Sequence, residues 1–227
     1  MTKRDKQILR HLYNFRFLST NQLLDLMSLS GNKIELTYMR KRLKELADCE
    51  VVDRNRKILY QSYIYNLSDF GYQELNEDVK RHVKFGGRNL IHELFVADTL
   101  IYMCKFLSYD FNDYLTEEQL LLDDIEIVEE ESVFTSEVIK KMKDNKKHLG
   151  DLVFSNETVI EVEISRKRKS RLFTNLEQNK KNYKKQIWVI YEHDKYIENV
   201  IKKFDEEIQI IYIETIIRKL GRELFYG

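Results

Sequence analysis

The stretch HLGDLVFSNETVIEVEISRKRKSRL, residues 148–172, decides how the second half of the chain is read. Side chains alternate along a strand, so Glu161, Glu163 and Ser165 of VIEVEIS fall on one face. A turn through Ser155, Asn156 and Glu157 returns Asp151 beside them, making a hairpin over residues 150–164. Three carboxylates then converge where a core would take valine. Buried carboxylates are costly unless neutralised, and a metal ion or another cation neutralises them. Arg166, Lys167, Arg168, Lys169 and Arg171 follow at once. Acid at a strand end beside a basic run is what a hydrolase acting on nucleic acid needs. A degenerate relic of such an enzyme would keep the same pattern.

Outward from the hairpin, apolar periodicity predicts a helix of about 19 residues before it (NLIHELFVADTLIYMCKFL) and a helix from about Arg168 to Lys185 after it. The apolar strands IWVIYE and IQIIYI follow, with a helix through residues 196–204 between them and another from Glu214. This alternation is an α/β domain. Glu93 lies on its first helix. Glu93, Asp151 and Glu161 or Glu163, with Lys167 close behind, make a workable Mg²⁺ site for activating water at a phosphodiester. Taken singly, each acid also reads as an ordinary surface residue.

Towards the N-terminus the period is helical. Thr2 with Asp5 forms a capping box before Ile8, Leu9, Leu12 and Tyr13. Ser19 with Gln22 opens a second helix carrying Leu23, Leu24 and Met27. Asn32 with Glu35 opens a third, with Leu36, Met39, Leu43 and Leu46 as its buried stripe. The opposite face holds Lys33, Thr37, Arg40, Lys41 and Lys44. Two short β runs follow, at residues 51–53 and 59–67, with Arg54, Arg56 and Lys57 around their connecting loop, and Ser68 caps a short helix. Three helices and a two-stranded wing define a winged helix-turn-helix, whose third helix enters the major groove while the wing grips phosphate. The bland alternatives are a solvated helix face and a winged helix that binds protein. FGGRN, residues 85–89, marks the junction. The expected architecture is therefore α+β in two domains, residues 1–84 and 88–227.

The totals are consistent with this division. The 227 residues are 43% hydrophobic, and 38 basic residues balance 38 acidic ones. Only the distribution of charge is informative. Residues 1–62 carry 13 Lys/Arg against 7 Asp/Glu, residues 110–137 carry 11 acids and no base, and residues 166–185 carry 9 bases and one acid. Two basic zones suit a polyanion. Cys49 and Cys104 show no metal-binding spacing. No signal peptide is visible, and no stretch reaches the roughly 18 apolar residues of a membrane helix. These features predict a cytoplasmic protein without a membrane. Proline is absent, and the wealth of Lys, Asn, Ile and Tyr reads as an AT-rich bacterial or phage genome.

RDKQILRHLYNFRFLSTNQLLDL and MRKRLKELADCEVVDR resemble the N-terminal winged helix of replication-relaxation family proteins, which plasmids, integrative elements and phages encode. IHELFVADTLI, GDLVF and VIEVEISRKRKSRL resemble the same family's C-terminal half, which looks like the PD-(D/E)XK nuclease fold, also called restriction-endonuclease-like. The resemblance implies that Gly150-Asp151 stands for the proline-aspartate of that pattern, Glu161 or Glu163 for its second acid, and Glu93 for the acid of the first core helix. Where the pattern wants lysine, this chain has Glu163 or Ser165, and Lys167 would have to substitute. Two functions are therefore expected. The first is a double-stranded-DNA-binding protein of a mobile element, controlling replication, transfer or transcription and requiring no cofactor. Its contacts would be Lys33, Thr37, Arg40, Lys41, Lys44, Arg54, Arg56, Lys57, Arg166, Arg168 and Lys169, and a homodimer would suit a palindromic site. The second is a Mg²⁺-dependent endonuclease, with Asp151, Glu161 and Glu163 on the metal, assisted by Glu93 and Lys167.

Overall fold

The computed structural model describes residues 1–55, 63–75, 88–117, 119–120, 150–155, 157–165 and 168–222. They combine helices with two sheets and group into two compact units, Met1–Phe111 with Glu214–Gly227, and Asn112–Ile213.

The first unit opens with α1 (Lys3–Phe15), whose N-terminus is the expected capping box. The Asp5 backbone N–H donates to Thr2 Oγ1 and the Thr2 N–H donates to the Asp5 carboxylate. Two orphan donors of the first turn are thereby satisfied. Ile8, Leu9 and Leu12 are fully buried. Ser19 and Gln22 form the same reciprocal cap on α2 (Thr20–Leu29). The third cap departs from expectation. α3 (Leu36–Asp48) starts after Glu35 with no side-chain cap. The Asn32 amide is instead drawn to Gln7 Oε1 at 2.8 Å and to the Ser30 carbonyl.

Two short strands follow α3, β2 (Val52–Asn55) and β3 (Ile64–Leu67), antiparallel in register Val52↔Leu67. A strand not anticipated from sequence, β1 (Leu18–Ser19), pairs with the other edge of β3, giving the order β1-β3-β2. Two residues are too few to carry a period. α4 (Asp69–Leu75) begins at Ser68, whose hydroxyl accepts from the Gly71 N–H. Gly71 is required there, because a Cβ would lie 2.2 Å from the Val51 carbonyl oxygen.

α5 (Arg88–Phe106) has the predicted length, but it groups with the first unit, packing on α1, α2 and β1. A helix buried along Leu94, Phe95, Ala97, Leu100, Ile101 and Met103 needs apolar neighbours on several sides. Polar links fix its register. Gln22 Nε2 donates to the Leu94 carbonyl at 2.7 Å, and Lys105 meets Asp25. Arg222 donates to Asp25 at 2.6 Å and Asp98 at 3.2 Å. The first compact unit thus takes in α5 and runs to Phe111. Gly86 and Gly87 lie outside the described residues.

The second unit is a five-stranded sheet in the order β4-β5-β6-β7-β8. β4 (Tyr114–Thr116), β5 (Leu152–Phe154) and β6 (Thr158–Glu163) pair antiparallel, and β7 (Lys185–Ile190) and β8 (Gln209–Tyr212) continue parallel. α6 (Lys169–Asn182) links β6 to β7, and α7 (Lys195–Phe204) links β7 to β8. Their apolar sides close over Trp188 and Ile190 through Leu172, Leu176, Ile197 and Ile201. α8 (Ile213–Leu220) follows β8 in sequence, and from Glu214 on it belongs to the first unit. Residues 121–149, with the KKMKDNKK loop, lie outside the described residues.

Candidate nucleic-acid interface and the acidic hairpin

α3 sorts its side chains as the 100° rule requires. Met39, Leu43 and Leu46 are buried and Leu36 is half-buried, whereas Thr37, Arg40, Lys41 and Lys44 are exposed. Lys33 is exposed too, but it sits in the extended approach to α3 and not on the helix. The remaining cation of the helix, Arg42, is spent on structure. Its Nε and Nη2 donate to the two oxygens of Asp5 at 2.7 and 2.8 Å, and its Nη1 donates to Glu45. Burial pushes the Asp5 carboxyl up, but the hydrogen bonds from Arg42 and Thr2 override it and hold it at about 2. The same pairing raises the Arg42 guanidinium. Lys33, Arg40, Lys41 and Lys44 make no ion pair or side-chain hydrogen bond among the described residues. The helix thus carries one neutralised, half-buried cation at its flank, and on its exposed face cations with no ion pair among the described residues.

Reading the sequence missed Tyr38, which is 44% exposed on the outer side of α3. Its position three residues before Lys41, off the Met39–Leu43–Leu46 stripe, was the available signal. Arg54 is exposed on β2 with its guanidinium 4.6 Å from the Tyr63 ring centroid, a cation–π contact. Arg56, Lys57, Arg166 and Lys167 lie outside the described residues. Arg168 caps α6 without a side-chain hydrogen bond, and Lys169 stands 5.6 Å from the Phe173 ring centroid.

On the hairpin, Glu161 and Glu163 stand in register with Trp188 and Ile190 and share their face of the sheet, the face α6 covers. Both are buried, at 2% and 3% exposure. Their hydrogen bonds diverge. Glu161 Oε1 accepts from Asn179 Nδ2 of α6 at 3.0 Å. Glu163 Oε1 accepts from the N–H and the hydroxyl of Ser165. Asp151 accepts from the Val162 N–H at 2.6 Å, pinning the start of β5 to β6. Among the described residues, no three His, Cys, Asp or Glu side chains come together in a way that would hold a metal ion. Asp151, Glu161 and Glu163 thus each accept from a separate protein donor. Glu93 belongs to the first unit, where its carboxylate meets Arg16 Nη1 at 2.9 Å.

The described residues thus define a mixed helix-and-sheet protein with a free basic helix face in one unit and a hydrogen-bonded acidic hairpin in the other. Residues 9–114 match the model of the replication-relaxation family. The match runs through α5 and ends at the first residue of β4, close to the boundary of the first compact unit. No curated protein and no solved structure matches the chain. No helix among the described residues is long and apolar enough to cross a membrane.

Proposed function

We propose that this chain is a double-stranded-DNA-binding protein of a bacterial mobile element, acting in replication control through a winged helix-turn-helix formed by α1, α2, α3 and the β2–β3 wing. The observation that carries the reading is the outer face of α3. Thr37, Tyr38, Arg40, Lys41 and Lys44 are exposed along it, with Lys33 leading in. Arg42, four residues after Tyr38 at the flank of this face, is committed to Asp5 instead. An α-helix fits the major groove, where lysine and arginine reach phosphates and guanine edges. Arg54, at the base of the wing, adds a flanking phosphate contact. The likeness of residues 9–114 to the replication-relaxation family points the same way.

In this reading the hairpin acids and Glu93 are structural. Glu161 ties β6 to α6, Asp151 closes the hairpin, and Glu93 fastens α5 to Arg16. No cofactor takes part. The test is a salt titration of the purified chain on a labelled duplex library. Binding whose log affinity falls linearly with log salt supports the reading, with a slope of about 0.9 per neutralised phosphate. No binding at 50 mM salt sinks it and leaves the winged helix as a protein-binding module.

A further inference from the structure

Behind the C-terminal end of α3, that helix, β2, β3 and the start of α4 enclose a cleft of about 730 Å³. This is within the roughly 300–1,000 Å³ typical of ligand sites. Its charge is opposite to that of the outer face of α3. Asp48, Glu50, Asp53 and Asp69 line it and all four are exposed. None of them makes an ion pair among the described residues. Among the described residues, Arg54 is the one basic side chain that reaches the wall, and it is stacked on Tyr63.

Two further features ask for positive charge. Asp48 is the last residue of α3, and that helix has no basic residue in its final turn. A helix C-terminus is already partly negative, so an acid there is unfavourable until a cation approaches. The second feature is Asn66, a wall residue of the cleft that is only 2% exposed. Its Nδ2 donates to Asp53 Oδ2 at 3.0 Å and to the Leu67 carbonyl at 2.9 Å. Both neighbours are acceptors, so the amide cannot be turned round. Its Oδ1 is then a buried acceptor with no donor among the described residues, which is costly.

The ligand is not a single metal ion, because among the described residues no three acids converge closely enough to hold one. Carboxylates spread along a cleft suit a spread cation. Phe70, 46% exposed on the rim, offers a ring for a guanidinium or an aliphatic stem. We propose that this cleft docks a lysine- and arginine-rich segment of a partner protein, held by Asp48, Glu50, Asp53 and Asp69, with one donor reaching Asn66 Oδ1. This function goes beyond DNA binding and uses a surface that shares only Arg54, among the described residues, with the DNA-binding face.

The test is fluorescence anisotropy of a labelled (Arg-Ala)₄ peptide titrated with the full chain at 50 and 200 mM NaCl, with (Glu-Ala)₄ as the control peptide. The wild type should bind the basic peptide only, and more weakly at the higher salt. Asp48→Asn with Glu50→Gln should weaken binding at least tenfold, and Phe70→Ala severalfold. Glu206→Gln with Glu207→Gln, an equal charge change at exposed acids of the second unit, should leave it within twofold. DNA affinity of the Asp48/Glu50 variant should not fall, so failure here is distinct from failure of the DNA-binding reading. The proposal is overturned if the wild type does not bind the peptide or if both double variants lose affinity equally. It is overturned too if free arginine or Mg²⁺ competes as well as the peptide. Wild-type self-association in sedimentation velocity that the Asp48/Glu50 substitutions abolish would make the occupant a second copy, and would also overturn it.

Discussion

Arg42 holds both carboxylate oxygens of Asp5, at 2.7 and 2.8 Å, joining the middle of α3 to the first turn of α1. Asp5 is 1% exposed, so this fork neutralises a charge with almost no water around it. Arg42→Ala should therefore destabilise the chain by about 1.5–3 kcal/mol, the range for hydrogen bonds to charged groups. Urea denaturation at pH 7 measures it. Because the folded pKa of Asp5 is held at about 2, against an ordinary 3.8, its contribution is complete above pH 4. It is lost as the pH falls from about 4 to 2. The variant should lack this part of the acid transition.

His11 produces a second pH dependence, at higher pH. Ser30 Oγ spends its hydrogen on the Leu26 carbonyl, so His11 Nε2–H is the donor across the 3.1 Å contact to Ser30. Burial lowers the imidazole from 6.5 to about 4. Between those values the unfolded chain binds the proton and the folded chain does not. Stability should fall by about 3 kcal/mol as the pH drops from 6.5 to 4. His11→Gln should flatten that slope, whatever it does to the stability at pH 7. An unchanged slope would show that His11 is not buried neutral.

Asn179 is fully buried and donates to the buried Glu161 carboxylate. Asn179→Ala should cost about 1–3 kcal/mol, because a buried carboxylate loses a donor. If the hairpin acids are structural, Asp151→Ala should change stability without changing DNA affinity. Plasmid nicking by the wild type with Mg²⁺ that Asp151→Ala abolishes would restore the endonuclease reading.

Gly71 offers a steric test of the junction between α4 and the sheet. An alanine Cβ there meets the Val51 carbonyl oxygen at 2.2 Å. Gly71→Ala should destabilise by about 1–3 kcal/mol despite the higher helix propensity of alanine. Thermal denaturation measures it, and a neutral or stabilising result would displace α4 from β2.

These residues also show which parts of the fold were legible. The caps at Thr2/Asp5 and Ser19/Gln22 were readable because each partner is three residues away. The Asn32–Glu35 cap was not, because Gln7, 25 residues distant, takes the Asn32 amide. The faces of α3 followed from periodicity, and the shared face of Glu161 and Glu163 from alternation. What those acids meet was invisible, since Asn179 lies 18 residues on and on another element. The length of α5 was readable from its apolar run. Its partners were not, since apolarity asks for burial without specifying against what. Arg16, Gln22 and Asp25 supply that answer from the other end of the sequence.

The most direct test of the central claim is the salt dependence of DNA binding in Lys41→Ala with Lys44→Ala. Both lysines are exposed and make no ion pair among the described residues, so fold stability should hold within about 0.5 kcal/mol. If α3 lies in the groove, affinity should drop and the slope of log affinity against log salt should shrink by about two, one for each lost phosphate contact. An affinity and a slope equal to those of the wild type would show that DNA does not meet this face.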